Sequence, residues 1–268
     1  MAATYLQSLT PAQQTNFNTL VDRLKFRGIT NPFTQAAFLS VASKESEFKL
    51  KSELSYRSTP NARIRAIFGK RLASLSEDQL TTLKASDEAF FNKIYGGQGG
   101  NAANEGYKYR GRGFNDITFK GEYDKLGKEL GYDLVGNPDL LNTPIVAADC
   151  LIQYFIDDFK AAPKGTLAKY NTTGLNDFKT LDDSLRAVYQ ANAGWGFVDA
   201  DKKDKTGGFA KAQARVSGFF DYVGKFVGEH KTAVVATGSG AFFFNGGGSS
   251  ISADQQKEEK TTDTNTNT

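Results

Sequence analysis

The sequence predicts a mainly α-helical domain over residues 1–230 and a polar tail or anchor over 231–268. Three observations lead there. Apolar residues recur at three- and four-residue spacing behind helix-capping signals, strand-like alternation is scarce, and the composition changes after His230.

Thr10-Pro11 is an N-cap followed by proline at the first helical position. Behind it Phe17, Leu20, Val21 and Leu24 keep helical spacing until Gly28 ends the run. Asn31-Pro32 repeats the start signal. The helix that follows, through Phe33, Ala37, Phe38, Leu39 and Val41, is apolar nearly all round and is therefore predicted to be central and buried. It carries Glu45 in its last turn. Ser76-Glu77-Asp78-Gln79 is a capping-box pattern for a short helix. Thr143-Pro144 opens a stronger one with Ile145, Ala148, Ile152, Phe155 and Phe159 on one stripe, and Thr180 with Asp183 opens another through Leu185, Val188 and Tyr189. Phe209 to Val227 reads as the last helix. The stretches Leu54–Arg57 and Phe114–Thr118 are expected to form a small β-hairpin or an irregular loop region beside a groove.

Beyond His230, Gly238-Ser239-Gly240 and Gly246-Gly247-Gly248-Ser249-Ser250 lead into a threonine- and asparagine-rich end that has too little apolar surface to fold alone. Val234, Val235 and Phe242 to Phe244 are the exception, and suit docking on the domain or on a partner. No stretch reaches the roughly 20 apolar residues of a membrane span. The N-terminus shows no secretory signal pattern.

Cysteine and histidine counts narrow the chemistry. Cys150 is the only cysteine and His230 the only histidine, so no intramolecular disulfide is possible and zinc or Ser-His-Asp sites lack their usual ligands. Cys150 lies in an apolar helical stretch and reads as structural. No metal or organic cofactor is expected. The net charge of +3 is compatible with an anionic polymer. Arg110-Gly111-Arg112-Gly113 occurs once, inside a folded region, which argues against an RNA-binding repeat, and no nucleic-acid partner is expected. Gly96-Gly97-Gln98-Gly99-Gly100 lacks the ending of a phosphate loop and reads as a flexible loop.

Carboxylates remain. Cleaving a glycosidic bond needs an acid for the leaving oxygen and, in an inverting enzyme, a separate base that activates water. Glu45, at the end of an apolar helix, suits the acid. Glu53, in the polar loop Lys51-Ser52-Glu53-Leu54-Ser55-Tyr56, suits an ionised base, with the Ser55 hydroxyl near to help hold water. Glu47 and Glu105 are competing bases.

Lys44-Glu45-Ser46-Glu47-Phe48, then Glu53 with Ser55 and Tyr56, then Tyr109-Arg110-Gly111-Arg112-Gly113-Phe114-Asn115-Asp116-Ile117-Thr118 resemble, in this order, the motifs of the glycoside hydrolase family 19 catalytic domain, in particular its phage-type endolysins. Gly136-Asn137-Pro138-Asp139-Leu140 and Ala191-Asn192-Ala193-Gly194 extend the likeness over roughly residues 10 to 228. The chain departs from the family at Lys44, where a histidine is usual, in a loop one residue shorter after Glu45, and at Asn115-Asp116, where Ile-Gln is usual.

The resemblance implies a lysozyme-like helical fold, Glu45 as general acid, Glu53 as base and Ser55 as a neighbouring hydroxyl. It further implies substrate contacts from Tyr56, Tyr109, Arg110, Arg112, Asp116, Thr118 and Asn192. The implied activity is inverting hydrolysis of β-1,4 bonds in peptidoglycan, with chitin as the alternative substrate. A non-catalytic wall-binding module, or a component of a phage particle or injection machine attached through the tail, is the other alternative. In each case the protein is expected to be made in the cytoplasm and to act at the bacterial wall or periplasm after delivery.

Overall fold

The computed structural model describes residues 2–195 and 207–236. They form ten α-helices: α1 (Ala2–Gln7), α2 (Pro11–Phe26), α3 (Pro32–Ser46), α4 (Asn61–Leu72), α5 (Glu77–Lys84), α6 (Asp87–Tyr95), α7 (Lys120–Leu130), α8 (Pro144–Lys160), α9 (Leu181–Ala193) and α10 (Gly208–Ala236). Two 3-10 turns, Pro138–Asn142 and Leu167–Tyr170, complete the set. The mainly helical, lysozyme-like reading holds. In place of a hairpin, a single isolated antiparallel bridge, Arg112 with Ile117, is found among the described residues.

The chain divides into two units, Met1–Gly228 and Glu229–Thr268. Of the second, only 229–236 are described, so the glycine-rich tail and the phenylalanines expected to dock lie outside the described residues.

Within the first unit α3 is the hub. Asn31 caps it through Oδ1, which accepts from the amides of Phe33 and Thr34 at 2.9 and 3.2 Å. Every residue from Thr34 to Ser43 is buried. That explains the absence of a polar face in the sequence: α2, α8, α9 and α10 contribute most of the other residues of the same core, with Ile29, Phe48, Phe114 and Phe178 from the connecting segments, and Phe38 meets Phe155 at 4.5 Å between ring centres. Thr10 caps α2 in a reciprocal box with Gln13, and Gly28 closes its far end at φ 77°, where a side chain would be strained. Arg23 on α2 makes two bonds, 2.8 and 2.9 Å, to the buried Asp149 on α8.

Two smaller cores flank this one. Tyr109, Ile117, Tyr123, Leu126, Leu134, Leu141, Val146 and Cys150 lie beneath the Arg-Gly-Arg-Gly turn. Ile64, Leu72, Leu80, Phe90, Phe91 and Ile94 join α4, α5 and α6, with Tyr56, Phe68 and Tyr95 packed against them.

Candidate active site

Glu45 is held at a fixed helix end. The chain leaves α3 through two consecutive left-handed residues, Glu47 at φ 53° and Phe48 at φ 57°, neither of them glycine. Such residues cost about 1 kcal/mol each and persist where their surroundings over-determine them. Here Gln13 Nε2 donates to the Glu47 carbonyl and Asn16 Nδ2 to the Phe48 carbonyl, both at 2.8 Å. The fully buried Phe48 ring lies edge-on to Phe17 and Phe219, at 5.3 and 5.9 Å. From α10, Arg215 donates to the Ser43 carbonyl at 2.8 Å, in the last turn of α3, where the Glu47 amide also donates at 3.0 Å. The Glu45 side chain is 22% exposed. Its Oε1 receives two hydrogens, from Lys44 Nζ and from Asn192 Nδ2, each at 2.7 Å. Among the described residues, no donor meets Oε2.

Glu53 is arranged in the same way. Its Oε1 accepts from the hydroxyls of Tyr56 and Tyr95 at 3.0 and 3.1 Å. Its backbone amide donates to the Gly111 carbonyl at 2.7 Å, and the Gly111 amide in return donates to Oε2 at 3.4 Å. A methyl group added at Gly111 would sit 3.4 Å from Glu53 Oε2 and 3.5 Å from Asp116 Oδ1, so both carboxylates border this glycine.

Asp116 is a third acid, at φ 51°, with the Thr118 hydroxyl donating to its carbonyl at 2.8 Å. The residue is exposed overall, but its carboxyl end is crowded by protein atoms. That desolvation, and then the negative charges of Glu53 and Glu45, push it up to about 6, against the pull of Lys51 and Lys44. The structure therefore brings Glu45, Glu53, Asp116 and Asn192 into one electrostatic neighbourhood. The three carboxylates do not form a metal-binding group, and among the described residues no set of three or more potential ligands does.

Other expected contributors lie elsewhere. Tyr109 does not face substrate: it is fully buried and donates to the Val135 carbonyl at 3.1 Å. Arg112 is likewise corrected. It is 3% exposed, and its guanidinium binds Asp139 at 2.8 Å, the carbonyls of Lys108 and Arg110 at 2.8 and 3.2 Å, and the Tyr123 hydroxyl at 3.0 Å. It braces the turn from within. Arg110 is half-buried and stacks 4.1 Å over the Tyr107 ring. The Ser55 hydroxyl donates to Asp87 at 2.5 Å, at the start of α6, and not to Glu53.

The competing bases are engaged. Glu47 pairs with Lys49 at 2.6 Å, and that bond leads in holding its carboxyl below the usual range. Glu105 accepts from the Ala102 amide and from Lys120, which also lower it. The run at Gly96 to Gly100, read as a flexible loop, is a built turn: Gly121 donates to the Gly99 carbonyl at 2.8 Å, and a Cβ at Gly99 would strike the Phe119 ring. Cys150 is buried, and burial first, then Asp149, pushes its thiol up to about 12, which leaves it inert. The sequence reading missed Lys44 and Tyr95 as partners of the two glutamates. Lys44 had a signal, since it adjoins Glu45 where the family carries histidine.

Residues 92–172 match the model of glycoside hydrolase family 19, described as chitinase class I, which supports a catalytic domain of that family. The matched stretch includes Tyr95, the Arg-Gly-Arg-Gly turn, Asp116, Thr118 and Asn137-Pro138-Asp139; Glu45, Glu53 and Asn192 fall outside it. No curated protein matches the chain.

Proposed function

We propose, starting from the family 19 catalytic domain supported at residues 92–172, that this protein is an endolysin-like glycosidase that cleaves the β-1,4 bonds of peptidoglycan glycan strands with inversion. A glycoside hydrolase acting on chitin- or peptidoglycan-like polymers is the coarser statement that the family supports. One observation carries the acid–base reading: Glu45 and Glu53 each have Oε1 held by two donors, and Oε2 of Glu53 meets only the longer 3.4 Å bond from the Gly111 amide.

In this mechanism Glu45 Oε2 gives its proton to the glycosidic oxygen as the bond to the anomeric carbon breaks. Glu53 Oε2 takes a proton from a water that attacks that carbon from the opposite face. Lys44 and Asn192 keep Oε1 of Glu45 turned inward. Both carboxyl groups are restored when Glu53 returns its proton to solvent and Glu45 regains one.

Peptidoglycan is preferred because the chain has one cysteine, whereas the secreted plant-type chitinases of the family carry disulfides. A mildly basic surface suits an anionic wall. Chitin is the second reading, favoured by the description of the matching family. We place the activity at the bacterial wall or periplasm, reached by phage-type or machine-mediated delivery, with the tail as the element available for a particle partner. The test is digestion of purified sacculi and of chitin oligomers in parallel, with mass spectrometry of the products and NMR of the first-formed anomer. Soluble muropeptide strands with an inverted reducing end support the proposal. Release from chitin alone replaces peptidoglycan with chitin, and no release from either refutes hydrolysis.

A further inference from the structure

We infer that Tyr95, jointly with Tyr56, is a positioning residue for the hydrolytic base: the two phenols fix Glu53 Oε1 and so present Oε2 to the attacking water. This rests on the reading of Glu53 as base.

The two hydroxyls come from different elements. Tyr56 lies three residues after Glu53 in the same loop, while Tyr95 is the last residue of α6, 42 positions away. They converge on one oxygen at 3.0 and 3.1 Å. A carboxylate held by one donor still swings about its terminal torsion, which is broad. One held by two donors from separate directions has that rotation blocked.

Both rings are themselves fixed. Tyr56 sits edge-on to Phe68 and tilted on Phe90, each at 5.3 Å. Tyr95 stacks on Phe91 at 5.9 Å and meets Phe119 edge-on at 5.5 Å. Phe119 is in turn backed by the glycine turn at Gly99. The α4–α6 core, which supplies neither glutamate, thereby acquires a role as the mount for the base. Burial, and after it the Glu53 charge, holds both phenols well above the usual tyrosine range, so they remain donors throughout the working pH.

The test compares Tyr95→Phe, Tyr56→Phe and the double variant with wild type on soluble glycan strands released from peptidoglycan by amidase, with Glu53→Gln alongside. Phenylalanine keeps the ring packing, so each single variant is expected to melt within a few degrees of wild type. The expected result is a fall in kcat of about ten-fold or more for each single variant, with KM unchanged, because a hydrogen bond to a charged group is lost. The double variant should lose more than either. The acid limb of the kcat/KM profile should move to higher pH, since the ionised base has lost a donor. The groups facing Glu53 that shape this profile are Tyr56, Tyr95 and Asp116, with Glu45, Lys51 and Lys44 around Asp116. Wild-type kcat and an unmoved acid limb in Tyr95→Phe, with Glu53→Gln inactive, would overturn the inference alone. A fully active Glu53→Gln would overturn the base assignment and the inference with it.

Discussion

Replacing Asp116 with asparagine is expected to stabilise the protein at neutral pH and to leave it unchanged in acid. The carboxyl is pushed from its ordinary 3.8 up to about 6 by crowding and by Glu53 and Glu45. Between those values the folded state binds more protons than the unfolded chain, so stability falls as pH rises through that window and stays low above it. Taken at face value the shift corresponds to about 3 kcal/mol at 1.36 kcal/mol per unit. Asp116 is exposed overall, and solvent screening reduces that to on the order of 1 kcal/mol. For a folded unit of this size, that is roughly 2–4 °C in Tm. The assay is thermal unfolding of both proteins at pH 3.5 and pH 7.5. A gain at pH 7.5 that vanishes at pH 3.5 is expected. No gain at pH 7.5, or an equal gain at both, would refute the electrostatic coupling of the three carboxylates.

Arg112→Ala should destabilise the fold by about 3 kcal/mol, because it strips two backbone carbonyls and the Tyr123 hydroxyl of a buried donor. A drop in Tm of several degrees is the readout, and an unchanged Tm with weakened glycan binding would restore it to the substrate groove. Glu105→Gln and Glu47→Gln should each keep wall lysis within about two-fold of wild type, since neither carboxylate is free. An inactive Glu105→Gln in a turbidity assay would move the base to the later loop.

Much of the helical frame was legible because its long elements announce themselves. Helices α2, α3 and α9 open on side chains that cap them, and α8 follows Thr143-Pro144 without a side-chain cap. Their buried residues follow the apolar spacing seen in the sequence, except that Ile145, placed on the α8 stripe, is exposed in the first turn. Helices α4 and α7 open on Pro60 and Phe119, which provide no capping side chain to mark their starts, and each buries few residues, Ile64 and Leu72 in the one and Tyr123, Leu126 and Gly127 in the other. Within the site, Glu45 and Glu53 stood out because carboxylates beside a buried helix are chemically suggestive. Arg112 and Tyr109 were misplaced because a glycine-flanked arginine reads as exposed, and nothing local reveals that Asp139 and Tyr123 lie within reach. Tyr95 was invisible for the same reason: its partner is 42 residues away.

The central claim is that Glu45 and Glu53 perform the hydrolysis. Its most direct test is the cleavage rate of Glu45→Gln and Glu53→Gln on soluble peptidoglycan strands, with glycan binding and Tm measured on the same samples. Each amide keeps the side-chain shape but can neither deliver nor accept the required proton, so a loss of about 10²-fold or more is expected in both, with binding and melting unchanged. Cleavage by either variant at near the wild-type rate would contradict the account.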